Sequence, residues 1–121
     1  MDLPVDLSEK FARIDDYWHP RIVAELNGQL VKVAKGLGEL PMHHHAEEDE
    51  LFLIHKGSLR LRFTDDSHVD IGQGQFYVVP RGVDHQPIAQ EEVEIVLFEP
   101  ATTAHTGNVV VAETRTTLER L

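Results

Sequence analysis

The sequence predicts an all-β fold, an antiparallel sandwich or barrel, led in by one short helix. Three observations carry this. Between Ile22 and Phe98 the apolar residues fall in short runs, several of them alternating with polar ones as a strand requires. Asn27-Gly28 sits between two such runs and is a strong hairpin signal. Gly, Pro and Asp recur at close spacing, which leaves no room for helices between the strands.

The elements follow in order. Residues 6–14 form the helix: Asp6 caps it with Glu9 three residues on, and Leu7, Phe11 and Ile14 share a face. A helix this short must dock on the body to persist. Asp15 to Pro20 is a connector whose aromatics, Tyr17 and Trp18, pack beneath the N-terminal arm. Residues 22–26 and 29–34 form the hairpin around Asn27-Gly28, after which Gly36 and Gly38 loosen the chain. Residues 51–55 make a short apolar strand. Residues 59–63 alternate, with Arg60 and Arg62 outward and Leu59, Leu61 and Phe63 inward. Val69 and Ile71 continue that alternation after a turn at Asp65-Asp66. Residues 76–79 and 93–98 are the last two strands, and Phe52, Ile54, Phe76 and Val78 are assigned to the core. Beyond Pro100 the pattern fades into a Thr-rich tail, where Val109-Val110-Val111 is the one stretch suited to an added strand.

With 121 residues the chain is one domain's worth. The 21 acidic against 11 basic residues give a formal charge of −10, which repels nucleic-acid phosphates and anionic membranes, so neither is an expected partner. The absence of Cys removes disulfides, thiolate ligands and a Cys nucleophile, and fits a reducing cytoplasm. Charges throughout the first twenty residues leave no apolar signal-peptide core, and no apolar run reaches a membrane span.

Chemistry concentrates in Met42-His43-His44-His45-Ala46-Glu47-Glu48-Asp49-Glu50. In an extended strand His43 and His45 point to one face and His44 to the other. Two imidazoles on one face with a carboxylate arriving from the next strand make half of a divalent-metal site. The stretch Gly74 to His85 completes it: Pro80 and Gly82 turn the chain and present His85. The proposed ligand set is His43, His45, Glu50 and His85. Imidazole and carboxylate donors do not choose among Fe, Mn, Ni, Zn and Cu. The remaining histidines, His19, His55, His68 and His105, have no partner at ligand spacing. No Ser-His-Asp arrangement is present to support nucleophilic catalysis.

These motifs resemble those of the cupin superfamily. Its first motif, H-x-H with a later Glu and Gly, matches His43, His45, Glu50 and Gly57. Its second, G-x5-P-x-G-x2-H-x3-N, matches Gly74, Pro80, Gly82 and His85, with Ala89 in place of the final Asn. The similarity extends to small single-domain cupins with a D-E-L-F run, here Asp49 to Phe52, and an E-P…T-G tail, here Glu99-Pro100 and Thr106-Gly107. The resemblance implies a double-stranded β-helix, or jelly-roll barrel, with one divalent metal inside it on three His and one Glu. The expected organisation is a helical arm over 1–20, the barrel over 21–100, and a tail over 101–121 packing on the barrel or on a partner subunit.

Fold analogy then suggests a metal-dependent enzyme on a small oxygenated metabolite, a dioxygenase or a sugar-type isomerase. The alternatives are a non-catalytic ligand-binding or sensing module and a purely structural cupin. Arg81 either braces its turn or holds an anionic group at the barrel mouth, and Tyr77 contacts substrate if it faces inward. The hairpin over 21–35 exposes an edge, which predicts a homodimer.

Overall fold

A computed structural model describes residues 3–121. It contains α1 (Leu7–Ala12), β1 (Arg21–Leu26), β2 (Gln29–Glu39), β3 (Glu50–Lys56), β4 (Ser58–Arg62), β5 (His68–Gly72), β6 (Phe76–Val79) and β7 (Gln86–Pro100). All the pairings between these strands are antiparallel. The fold is the expected jelly roll with its short N-terminal helix. Its strand order is β1-β2-β7-β3-β6, with β4 on β7 and β5 on β4.

Strand β7 is the member shared by both parts of the barrel. Its C-terminal half lies between β2 and β3, with Val96 opposite Val33 on one side and Leu53 on the other. Its N-terminal half lies between the end of β2 and β4, with Ile88 opposite Glu39 and Arg60. The start of β7 departs from the expected 93–98. Gln90-Glu91-Glu92 breaks the apolar alternation, so tertiary pairing rather than pattern makes residues 86–92 a strand.

Strand β2 likewise runs through Gly36 and Gly38, where looseness was expected. A register shift between these two residues absorbs the bend while the ladder with β7 continues. Gly36 is required sterically, because a Cβ there would lie 2.6 Å from Cη2 of Trp18. At the other end of β2, Asn27 and Gly28 both have positive φ, 50° and 76°, as a two-residue hairpin turn demands.

The helix forms as its cap predicts: Asp6 accepts from the Glu9 N–H at 3.3 Å. Phe11 and Ile14 are buried against Val33 and Val96 on the outer face of the sheet. Inside the barrel, Ile54, Leu59, Leu61, Ile71 and Val93 form the apolar core, and Arg60 and Arg62 point out as the alternation requires. Phe76 and Val78 do not belong to that core, contrary to expectation. They are 63% and 44% exposed, because the alternation of β6 turns Tyr77 and Val79 inward instead.

The segment after Pro100 makes contacts with its own barrel, Asn108 N–H donating to the His44 carbonyl at 3.1 Å. Val109-Val110-Val111 forms no strand. The β-type pairing occurs at the end of the chain, where Ile22 N–H donates to Glu119 O at 2.8 Å and Leu121 N–H to Ile22 O at 2.9 Å. The edge of β1 is therefore partly covered by the chain's own terminus.

Candidate metal centre

The site is assembled by continuing the β3–β6 ladder beyond its last pair, Glu50 with Val79. Gly82 N–H donates to the His45 carbonyl at 2.8 Å, and His43 and His85 exchange both backbone hydrogen bonds at 3.0 and 2.8 Å. The H-x-H segment and the turn after Pro80 are thus zipped together, with Gly82 at φ +76° making the turn.

This pairing brings the three imidazoles together: one nitrogen each of His43, His45 and His85 lies within 4.8 Å of the others. The rings are buried, at 3%, 5% and 0% exposure. His43 Nδ1 lies 2.8 Å from the Pro41 carbonyl and His85 Nδ1 3.0 Å from that of Val83. A carbonyl only accepts, so each Nδ1 carries the proton and each Nε2 presents its lone pair. Glu50 is buried alongside, with Oε1 3.3 Å from His45 Nε2 and 3.5 Å from His85 Nε2.

The electrostatics suit a cation. Burial pushes the His43 imidazolium down to about 4, which leaves the ring neutral at neutral pH and able to donate its lone pair. Burial by itself would raise the Glu50 carboxyl. The neighbouring Glu99, His45 and His85 side chains outweigh it and hold Glu50 well below the usual carboxylate range. Both nitrogens of His45 and Nε2 of His85 are buried and have no hydrogen-bond partner among the described residues. Each such orphan costs about 1–3 kcal/mol, and a divalent ion accepting the Nε2 lone pairs would remove most of that cost. The donor set fits a metal.

A cavity of about 40 Å³ adjoins the site, lined by His43, Glu50, Phe52, Leu97, Trp18 and His105 among others. It is closed on one side by the N-terminal arm, where Trp18 donates through Nε1 to Leu37 O at 2.9 Å. On another side His105 closes it, its Nδ1 accepting from Arg115 N–H at 2.8 Å. The C-terminal segment also braces the H-x-H strand directly. Asn108 Oδ1 accepts from His44 N–H at 2.9 Å, and a Cβ at Gly107 would collide with the His44 carbonyl.

His43, His45, Glu50 and His85 therefore lie together, while the two residues suggested for substrate do not join them. The Arg81 side chain is 64% exposed and sits 3.6 Å from Asp49, outside the cavity wall. Tyr77 faces inward but packs against Phe63, with ring centroids 6.3 Å apart, also outside that wall. His44 points away and pairs with Asp84 at 2.8 Å. Sequence reasoning missed Lys32, Glu99 and His105. The first two had a signal: each occupies an inward position of an alternating strand, Leu30-x-Lys32-x-Ala34 and Ile95-x-Leu97-x-Glu99. Nothing near His105 marked it, because its place depends on how the tail folds back.

Comparison with known proteins agrees with this architecture. The crystal structure of a cupin-2 domain containing protein from Shewanella frigidimarina NCIMB 400 superimposes with a TM-score of 0.77 and 38% identity, covering 79% of this chain and 93% of that one. A hydroquinone 1,2-dioxygenase crystallised with Cd²⁺ and 4-hydroxybenzonitrile superimposes with a TM-score of 0.66 at 16% identity, over 78% of this chain and 71% of that one, a likeness of fold alone. An uncharacterized protein of Bacillus subtilis (strain 168), YdbB, is 31% identical over 64 residues, which are 53% of this chain and 57% of that protein. The chain thus spans little more than half the length of that curated relative. No helix among the described residues is long and apolar enough to cross a membrane. Residues 29–101, more than half of the chain, match the family model described as a cupin domain, and the chain belongs to the cupin family.

Proposed function

We propose that this cupin binds one divalent transition metal through His43, His45, His85 and Glu50, and uses it on a small oxygenated ligand. The observation that carries the reading is the convergence of three buried imidazoles, two of them with Nδ1 committed to a carbonyl and Nε2 left free. Bound there, a divalent metal supplies Lewis acidity toward a carbonyl or hydroxyl oxygen, and iron would add oxygen chemistry. The chain's own contribution is to hold the three imidazoles in place, to keep His43 neutral and Glu50 ionised, and to exclude bulk water with Trp18, Phe52 and Leu97. Dioxygenase- and isomerase-type reactions both fit this donor set.

A second reading is a ligand-binding or structural module without turnover. The small cavity favours it. About 40 Å³ holds little more than water unless the arm or the tail moves aside.

Metal analysis of the untagged protein, purified without chelator, tests the first reading. Roughly one equivalent of Fe, Mn, Ni, Zn or Cu is expected, lost in His45→Ala and His85→Ala while the β-type circular dichroism persists. Full occupancy in those variants would remove the proposed site. Iron would direct oxygen-consumption screens, and Zn or Mn would direct isomerase substrates.

We also read the chain as a cytoplasmic homodimer with a small-molecule partner. Phe76 and Val78 lie exposed on strand β6, at the end of the sheet order, beside the half-buried Leu51, and a second copy would cover them. A monomer by sedimentation at micromolar concentration would refute the dimer.

A further inference from the structure

The most deeply buried charges of the molecule lie outside the proposed ligand set. Lys32 and Glu99 are 1% and 3% exposed, and Lys32 Nζ stands 2.7 Å from Glu99 Oε1. Both sit on inward positions of neighbouring strands, Lys32 on β2 and Glu99 on β7, where Glu99 is directly opposite Leu30. Taking two ions out of water costs about as much as their attraction returns, so a packed apolar pair would hold the barrel equally well. Fold stability therefore does not account for them.

Their surroundings do. Lys32 and Glu99 line the same cavity of about 40 Å³ as His43 and Glu50, so the Glu99 and Glu50 carboxyls face one small enclosed space. Glu99 Oε2 is buried with no hydrogen-bond partner among the described residues. Glu50 has three side-chain torsions. Its Oε1 faces two imidazole nitrogens, and the Glu99 carboxyl lines the same small cavity beyond them. A polar neighbour so placed selects one rotamer of a metal-binding carboxylate and sets its direction.

We infer that Lys32 and Glu99 are positioning residues of the metal centre: Lys32 anchors Glu99, and Glu99 holds Glu50 in the orientation that meets His45 and His85. This inference rests on the metal-binding reading above. It explains why a lysine and a second glutamate occupy barrel positions that pattern alone assigns to apolar residues.

The test uses Co²⁺ as the probe metal with the full chain. Affinity is measured by competition with a chelator and coordination by the visible ligand-field spectrum. The double variant Lys32→Met/Glu99→Leu is expected to keep the wild-type thermal midpoint without metal. It should still bind Co²⁺, but about 10–100-fold more weakly and with an altered spectrum. Glu99→Gln keeps an acceptor for Lys32 and a polar group facing Glu50, so it should recover most of the affinity. Lys32→Gln should weaken binding in the same direction by less, and carries the test if the double variant does not fold.

Wild-type affinity and spectrum in the double variant, or in Lys32→Gln, would make the pair structural and overturn the inference. Complete loss of Co²⁺ in Glu99→Gln would make Glu99 a ligand itself, which also overturns it. A wild-type protein that takes up no Co²⁺ would instead overturn the metal reading on which the inference stands.

Discussion

The two ends of the barrel interior exclude water equally well and are built from opposite chemistry. At one end Ile54, Leu59, Leu61 and Val93 are all 0% exposed and need nothing but each other. At the other, His43, His45, Glu50, His85, Lys32 and Glu99 are buried to between 0% and 5% exposure. There, nitrogens of His45 and His85 and an oxygen of Glu99 have no hydrogen-bond partners among the described residues. The apolar end supplies burial free energy at about 25 cal/mol per Å² and is complete as it stands. The polar end carries orphaned groups that a well-packed core would not tolerate. Its composition makes sense as a site that a ligand completes, held rigid by the other end.

If the two ends are independent in this way, they respond to different substitutions. The largest effect expected is at the apolar end. Leu61→Ala should lose about 2–5 kcal/mol of stability in urea denaturation, with metal stoichiometry unchanged. This is the reverse of the pattern expected for His85→Ala, and a parallel fall in metal uptake would show that the ends are coupled.

A smaller effect is expected where the arm closes over the polar end. Gly36→Ala places a methyl against the ring of Trp18, and the ring cannot give way without opening the cavity wall. The expected cost is about 1–3 kcal/mol, with a red shift in the emission of the chain's single Trp. Unchanged emission would mean that the arm is not a fixed wall.

The smallest effect concerns His105. Burial pushes its imidazolium from 6.5 down to about 4, with the nearby charges of His19, Lys32 and Arg115 adding to the shift. The unfolded chain then binds a proton between those values that the folded chain does not. Stability from this residue is therefore complete above pH 6.5 and declines as the pH falls toward 4. His43 titrates in the same range, so the quantity to measure is the difference between wild type and His105→Gln. The variant's thermal midpoint should depend less steeply on pH over that window, and identical slopes would exclude His105 as part of the closure.

The apolar end was far more legible than the closure. Leu59, Leu61 and Ile71 alternate with polar residues, and their burial follows from local pattern. Phe76 and Val78 show where such reading fails. A short apolar strand at the end of a sheet can turn either face inward, and only its pairing with β3 decides which. The first half of β7 failed for the complementary reason: its acidic run has no apolar period, and neighbours on both sides impose the strand.

By itself, the sequence determined the jelly-roll class, the capped helix and the Asn27-Gly28 turn, and it singled out His43, His45, Glu50 and His85, which lie together in the fold. Each of these depends on chemistry carried by a few residues at a set spacing. Only the tertiary structure decided that Lys32 meets Glu99, and that Trp18 and His105 close the cavity. It also decided that Gly107 and Asn108 brace the H-x-H strand. These contacts join residues from distant parts of the chain, Lys32 with Glu99 and His44 with Asn108. Residue spacing carries no record of them, because they come from barrel closure rather than local backbone preference.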